Sequence, residues 1–219
     1  MDLDLRLYAI LDPATAGGRA LPELARQVAG SATLVQLRDK TSSTRAMVEA
    51  ARAIQSVLTP ANVPLLINDR VDVALVAEAD GVHIGQDDMA PADARLLLGR
   101  GAIIGLSIKS VAQAQAAPLE HLTYVAIGGV FATTSKDSTD PPIGLSGLRA
   151  IVQAVRARAR EFPICAIAGI NDGNAADVIA AGADGVSVIS ALSLAPDPGK
   201  AAKSLRAVVD GALAARVRS

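Results

Sequence analysis

The chain has 219 residues, 51% hydrophobic and 20% charged, with a net charge of −1. That supply of apolar residues can bury a sizeable core and excludes a disordered chain, while the near-neutral balance gives neither nucleic acid nor a membrane surface anything to attract. Aromatic residues make up 2% of the chain, so the core must be built from Ala, Val, Leu and Ile.

Short β-branched and apolar runs alternate with Ala-rich amphipathic segments. Strands are predicted over Arg6–Leu11, Thr33–Arg38, Pro64–Ile67, Gly81–Ile84, Ala102–Leu106, Leu122–Ile127, Pro163–Ile167 and Gly185–Ile189. Helices are predicted over Leu21–Ala29, Thr44–Leu58 (with Ser42 or Ser43 as N-cap), Val71–Glu78, Pro91–Leu98, Val111–Ala117, Ser146–Arg160, Asn174–Ala181 and Gly199–Ala215. Strands that alternate with helices imply a parallel sheet, and eight such units imply a closed (β/α)8 TIM barrel, a single domain over residues 1–219. Ala79-Asp80-Gly81-Val82-His83-Ile84 echoes Ala183-Asp184-Gly185-Val186-Ser187-Val188, half a barrel apart. The echo marks a helix-to-strand turn at the end opposite the chemistry. No apolar stretch approaches the ~20 residues that cross a bilayer. The start, Met1 to Arg6, is acidic and lacks the apolar segment of a signal peptide. The lone cysteine, Cys165, lies in an apolar strand and suits a reducing compartment. A cytoplasmic protein is expected. An apolar helix face serves either the core or a homodimer.

In such barrels the site lies at the C-terminal strand ends, and the polar residues sort there. The second strand gives Gln36, Arg38 and Lys40, which alternation puts on one face above Leu34. An amide, a guanidinium and an ammonium in that position need a ligand to offset desolvation, and the two cations suit phosphate. The run alone reads equally well as a charged strand end entering a solvated loop. Asn68 and Asp69 follow the third strand, Asp88 the fourth, Ser107 and Lys109 the fifth, Thr133 to Lys136 the sixth, Gly169 the seventh and Ser190 the eighth. Asp69 and Asp88 are hard oxygen donors of the kind that hold Mg²⁺ together with water and phosphate; each is equally a candidate helix N-cap. Arg38, Lys40 and Lys136 with Mg²⁺ would hold a diphosphate. Gly169 and Ser190 stand where barrels bind phosphate with backbone N–H groups, and Thr133 and Ser135 add hydroxyls; taken singly, each also reads as turn chemistry. His83 is expected to be a satisfied core histidine, and His121 a structural residue at the opposite end. Nothing forms a nucleophile–His–acid set, a Cys/His metal spacing or a nucleotide-binding glycine fingerprint.

Over Tyr8 to Leu192 the chain resembles the thiamine phosphate synthase family. The resemblance rests on Gln36-Leu37-Arg38-Asp39-Lys40, Ile67-Asn68-Asp69-Arg70, Gly81 to Asp88, Ile104-Gly105-Leu106-Ser107, Thr133-Thr134-Ser135-Lys136 and Asp184 to Ser190. It implies a Mg²⁺-dependent transferase joining a hydroxymethylpyrimidine diphosphate to a thiazole phosphate with loss of pyrophosphate. It further implies that Gln36, Arg38, Lys40, Asn68, Ser107 and Lys136 hold the pyrimidine diphosphate, with Arg38, Lys40, Ser107 and Lys136 acting in catalysis. Asp69 and Asp88 would bind Mg²⁺, and Thr133, Ser135, Gly169, Ile189 and Ser190 the thiazole phosphate. Its partners would then be small-molecule substrates. The chain departs from the common pattern at Gly129 and Ala132, where many members carry Pro, and at Ala168, where a Gly-Gly pair is common. Two rivals share the architecture: a thiazole tautomerase, which would not need the diphosphate residues, and a non-catalytic barrel that binds a phosphorylated ligand, which would not need leaving-group activation.

Overall fold

Eight short runs rich in Val, Ile and Leu pair in parallel and close on themselves in the computed structural model, which describes residues 3–133 and 141–218. The strands are β1 (Leu7–Leu11), β2 (Leu34–Leu37), β3 (Leu65–Asn68), β4 (Gly81–Ile84), β5 (Ile103–Ile108), β6 (Tyr124–Ile127), β7 (Ile164–Ile167) and β8 (Gly185–Val188). Each pairs with the next, and β8 returns to β1 with Tyr8 opposite Ser187. The helices between them are α1 (Leu21–Val28), α2 (Thr44–Leu58), α3 (Val71–Ala77), α4 (Pro91–Leu98), α5 (Val111–Ala116), α6 (Gly144–Arg158), α7 (Ala175–Ala180), α8 (Ser190–Ser193) and α9 (Pro198–Arg218). The expected TIM barrel is therefore the observed fold.

Alternation along the strands divides the apolar residues into two cores. Leu7, Ala9 and Leu11 of β1, with Val35 and Leu37 of β2, face outward against the helices. Tyr8, Ile10, Leu34, Leu66, Ile103, Tyr124, Cys165 and Ile189 fill the barrel. Cys165 is therefore packing, as expected, and burial pushes its thiol pKa up, away from reactivity.

Element ends differ from the sequence reading by a residue or two in most cases. Ser43, one of the two expected caps, accepts from Ala46 N at the start of α2. β5 runs two residues beyond its predicted end because alternation continues, with Ser107 on the interior side and Ile108 in the outer core. The four-residue α8 was not anticipated: Ser-Ala-Leu-Ser is too short to display a helical period. Among the described residues no helix is long and apolar enough to cross a membrane.

At the N-terminal ends of the strands the internal echo has a structural meaning. Asp80 Oδ2 accepts from Leu65 N (2.8 Å) and Asp184 Oδ2 from Ile164 N (2.9 Å), each tying a turn to the start of the preceding strand. The following glycines admit the neighbouring backbone. A Cβ on Gly81 would lie 1.8 Å from Ile103 O, and one on Gly185 would lie 1.7 Å from Leu5 O.

Candidate active site

The C-terminal strand ends bring the predicted polar residues together in two dissimilar halves. The first half is ionic. Gln36, Arg38 and Lys40 leave β2 in succession, with Gln36 1% exposed above Leu34. Arg38 forms an ion pair with Asp12, at side-chain exposures of 18% and 3%. Asp12 follows β1 and also caps the 3-10 turn Pro13–Thr15 by accepting from Ala14 N at 2.9 Å. The parallel pairing of Leu11 with Leu37 puts the two residues side by side. Lys40 reaches across to pair with Asp69. Asp39 turns away: its carboxylate accepts from Thr41 N and Ser42 N, both at 2.9 Å. Against the burial that would raise its pKa, those hydrogen bonds hold it low. It shapes the loop that follows β2.

Asp69 sits just past β3 with φ +60°, a left-handed conformation that Asp tolerates better than most residues. Its N–H donates to His83 O at 2.8 Å, which fixes the turn to the neighbouring strand. Asp88 Oδ2 closes the β4 turn by accepting from Gly85 N at 2.7 Å. Neither carboxylate caps a helix: the N-cap positions of α3 and α4 are Arg70 and Ala90, both without a side-chain cap hydrogen bond. The capping alternative is thereby removed. Instead Asp69 and Asp88 interact with each other. Burial, opposed by Lys40 and reinforced by the Asp88 carboxylate, raises the Asp69 pKa above its ordinary value. Two acidic oxygen donors facing each other fit a small hard cation. Among the described residues no third His, Cys, Asp or Glu joins them, so water and substrate oxygens would complete such a shell. Asn68, 7% exposed, lies one residue before Asp69.

The second half is uncharged apart from Lys109 among its described lining residues. Ser107, Thr133, Gly169, Ile189 and Ser190 line one cavity of about 140 Å³, with Lys109, Gly128, Gly129 and Ser187. Ser190 opens α8 directly after β8, and a short extra helix at this position is where barrels commonly take a phosphate. Gly169 has φ +65°, and a Cβ there would lie 2.4 Å from Ala132 O. The β6 loop runs that close because Val130 N and Phe131 N donate to Ile167 O and Ala168 O at 3.2 and 3.1 Å. Ala168, where the family commonly has glycine, takes φ +96°, so the departure from the pattern carries backbone strain. Ser135 and Lys136 lie outside the described residues.

His83 is satisfied as expected, between Tyr124 Oη and Ser107 Oγ, each at 2.8 Å. The sequence reading named Ser187 among the strand-eight residues but missed Asp12 and the Tyr8–Tyr124 contact. Asp12 would have been found by applying to the first strand the same inspection of strand ends given to the others. Ser187, at the cavity floor, has a buried hydroxyl with no hydrogen-bond partner among the described residues. Tyr8 and Tyr124 meet hydroxyl to hydroxyl at 3.0 Å, a contact 116 residues apart that no local pattern signals.

Comparison with known proteins agrees with this geometry. A family profile described as thiamine monophosphate synthase matches residues 7–192. The thiamine-phosphate synthase of Agrobacterium fabrum is 47% identical over 98% of both chains, and that of Chloroflexus aurantiacus 48% over 94% of both. The structure of a thiamine phosphate pyrophosphorylase from Pyrococcus furiosus superposes with a TM-score of 0.83 at 34% identity, covering 96% of this chain and 98% of that one. A 3-hexulose-6-phosphate synthase, at 18% identity and TM-score 0.64, shares the fold. Matched across the barrel and nearly half identical to full-length relatives, the chain belongs to the thiamine monophosphate synthase family.

Proposed function

We propose that the thiamine-phosphate-forming transfer this chain shares with its family divides between the two halves of the mouth. The ionic half activates a leaving group and the other half positions the acceptor. In the reaction the C–O bond between the pyrimidine methylene and the diphosphate breaks, and a C–N bond to the thiazole nitrogen forms. The electron-rich pyrimidine supports a carbocation-like methylene, so departure precedes attack and no general base is required.

Lys40 and the free edge of the Arg38 guanidinium neutralise charge on the departing pyrophosphate, a role we also assign to Lys136 from its sequence position. Stabilisation of developing charge is often the largest catalytic contribution. Mg²⁺ held by Asp69 and Asp88 would supply further positive charge to the same oxygens. Gln36, Asn68 and Ser107 orient the pyrimidine. Gly169 and Ser190 take the thiazole phosphate on backbone N–H groups, with Thr133 and Ser135 adding hydroxyls and Ile189 packing beside the ring. Holding two substrates in attack geometry can supply several kcal/mol, up to about 11 at best.

The observation that carries this reading is the Asp69–Asp88 pair: two carboxylates that cap nothing, face each other and stand beside Lys40. A tautomerase acting on the thiazole phosphate alone, or a binding barrel, has no use for it. The test measures pyrophosphate release. Release should require both substrates and stop when Mg²⁺ is chelated. Conversion of the thiazole phosphate by itself, or release indifferent to chelation, would overturn the assignment. We propose a cytoplasmic location, where phosphorylated substrates are retained. The adjacent outer faces of α3 and α4, with Leu75, Val76, Leu96 and Leu97 all more than half exposed, are the surface we assign to a homodimer.

A further inference from the structure

Beneath the mouth, five polar side chains from five strands form one continuous hydrogen-bonded chain. Gln36 Nε2 on β2 donates to the Tyr8 hydroxyl on β1. The Tyr8 and Tyr124 hydroxyls lie 3.0 Å apart, Tyr124 Oη and His83 Nδ1 2.8 Å, and His83 Nε2 and Ser107 Oγ 2.8 Å. The rings are packed in place. His83 stacks on Tyr124 at 5.6 Å and 27°, and Tyr8 meets Tyr124 edge-on at 6.0 Å and 81°. The backbone is built around this arrangement: a Cβ on Gly105 of β5 would lie 2.1 Å from Tyr124 Cζ. Burial raises the pKa of both phenols, so they remain neutral hydroxyls.

Counting hydrogens gives the chain a direction. Each phenol has one hydrogen, and a neutral imidazole has one N–H. With the Gln36 nitrogen donating to Tyr8, the Tyr8 hydrogen goes to Tyr124 and the Tyr124 hydrogen to His83 Nδ1. The imidazole is then protonated at Nε2, which donates to Ser107 Oγ, and the Ser107 hydrogen is left for the cavity that Ser107 lines. The opposite sense, with Tyr124 donating to Tyr8, would require the Gln36 amide to turn over and present its oxygen to Tyr8; with the amide nitrogen kept in place, Tyr8 Oη would accept from both neighbours. Its own hydrogen would have no acceptor among the described residues, in an interior where an orphaned donor is unfavourable. At the other terminus Gln36 Oε1 is buried and has no partner among the described residues.

We infer that Tyr8, Tyr124 and His83 are positioning residues that fix the donor–acceptor sense in which the site reads its pyrimidine: Gln36 presents an acceptor and Ser107 a donor. The ligand must then offer an N–H to Gln36 Oε1 and a lone pair to Ser107, as an exocyclic amine and a ring nitrogen or ester oxygen do. This rests on the pyrimidine diphosphate being the substrate. It adds that an oxo group in place of the amine is rejected because the buried chain prevents the Gln36 amide from turning over.

Two measurements test it. In wild-type protein His83, one of only two histidines, should show the Nε2–H tautomer by ¹⁵N NMR in the absence of ligand. An Nδ1–H tautomer would reverse the chain and overturn the inference. For the second, the aminopyrimidine diphosphate is compared with its oxo analogue. Wild-type kcat/KM should differ by at least ~10²-fold, and Tyr8→Phe, which frees the Gln36 amide, should narrow this to ~10-fold or less. Tyr124→Phe cuts the next link, leaves the Tyr8 hydroxyl free to turn and so should release the Gln36 amide too; it serves if Tyr8→Phe does not fold. Undiminished discrimination in a folded Phe variant that still turns over the aminopyrimidine would overturn the inference while leaving the function standing. Absence of wild-type turnover would overturn both.

Discussion

The two ends of the barrel use the same residue types to opposite purpose. At the N-terminal end every named charge is matched within the protein. Asp184 accepts from Ile164 N and pairs with Arg156 (2.6 Å) and Arg216 (2.9 Å). Arg95 donates to the carbonyls of Ala102, Gly99 and His121 at 2.7 to 3.2 Å. At the C-terminal end Asp69 faces Asp88, at a pKa raised by burial and by that second carboxylate. Gln36 Oε1 and Ser187 Oγ are buried without a partner among the described residues. One end is electrostatically complete and holds the barrel closed. The other is left incomplete, which is unfavourable to folding and becomes favourable only when a ligand supplies the missing charges and hydrogens. Damage to the first end should therefore appear in stability, and damage to the second in turnover.

The largest effect is expected from Gly185→Ala. Its Cβ would meet Leu5 O at 1.7 Å, a main-chain atom that cannot swing aside, at the seam where β8 returns to β1. Denaturant titration should show a loss of more than about 4 kcal/mol, the range reserved for gross steric or core disruption, with turnover per folded molecule unchanged. A variant as stable as the parent would show that the seam is not where the barrel closes tightly.

Asp69→Asn is the converse test. Asn tolerates φ +60° as Asp does, so the backbone is not disturbed, whereas Ala there would confuse strain with chemistry. Turnover should fall at least ~10²-fold, about 2.7 kcal/mol of transition-state stabilisation. The folded state should be no less stable by more than about 1 kcal/mol, since removing a buried like charge offsets the lost Lys40 pair. A variant that lost stability and kept its rate would put Asp69 with the structural carboxylates and erase the contrast between the ends.

How much of this was legible from the chain follows the same division. Strand alternation and helix spacing are local, so the barrel, the identity of its two ends and the sorting of Gln36, Lys40, Asp69, Asp88 and Ser190 onto one of them could be read directly. The meaning of the Asp80-Gly81 and Asp184-Gly185 echo was legible for the same reason, because both carboxylates act within one helix-to-strand turn. What was not legible depends on register between strands. Arg38 finds Asp12 through the pairing of Leu11 with Leu37, and Tyr8 finds Tyr124 across the inside of the barrel. The choice between metal ligand and helix cap for Asp69 and Asp88 also needed coordinates, since both helices start where the spacing predicts, at Val71 and Pro91, and only the hydrogen bonds show that neither has a side-chain cap.

The smallest expected effect is also the most specific to the incomplete end. A carboxyl whose pKa is raised on folding contributes stability that is present below its unfolded value and is lost as pH rises through the folded one. Asp69 therefore favours the fold most when protonated and disfavours it near neutrality. A cation that takes the proton's place relieves this only where the proton has left. At ten times its dissociation constant Mg²⁺ adds about 1.4 kcal/mol, or roughly 3–5 °C in Tm for a chain of this size. The shift should be full near pH 7.5 and fade as pH falls through the raised Asp69 pKa towards the ordinary carboxylate range, about pH 4. Asp4, Asp39 and Asp72, whose pKa values are lowered, act with the opposite sign and lose stability on acidification. They do so with or without the metal and cancel in the difference. Thermal scans at each pH, with and without Mg²⁺, isolate the one carboxyl pair. A shift that persisted at pH 4, or that survived in Asp69→Asn, would place the cation elsewhere and leave the facing carboxylates without their purpose.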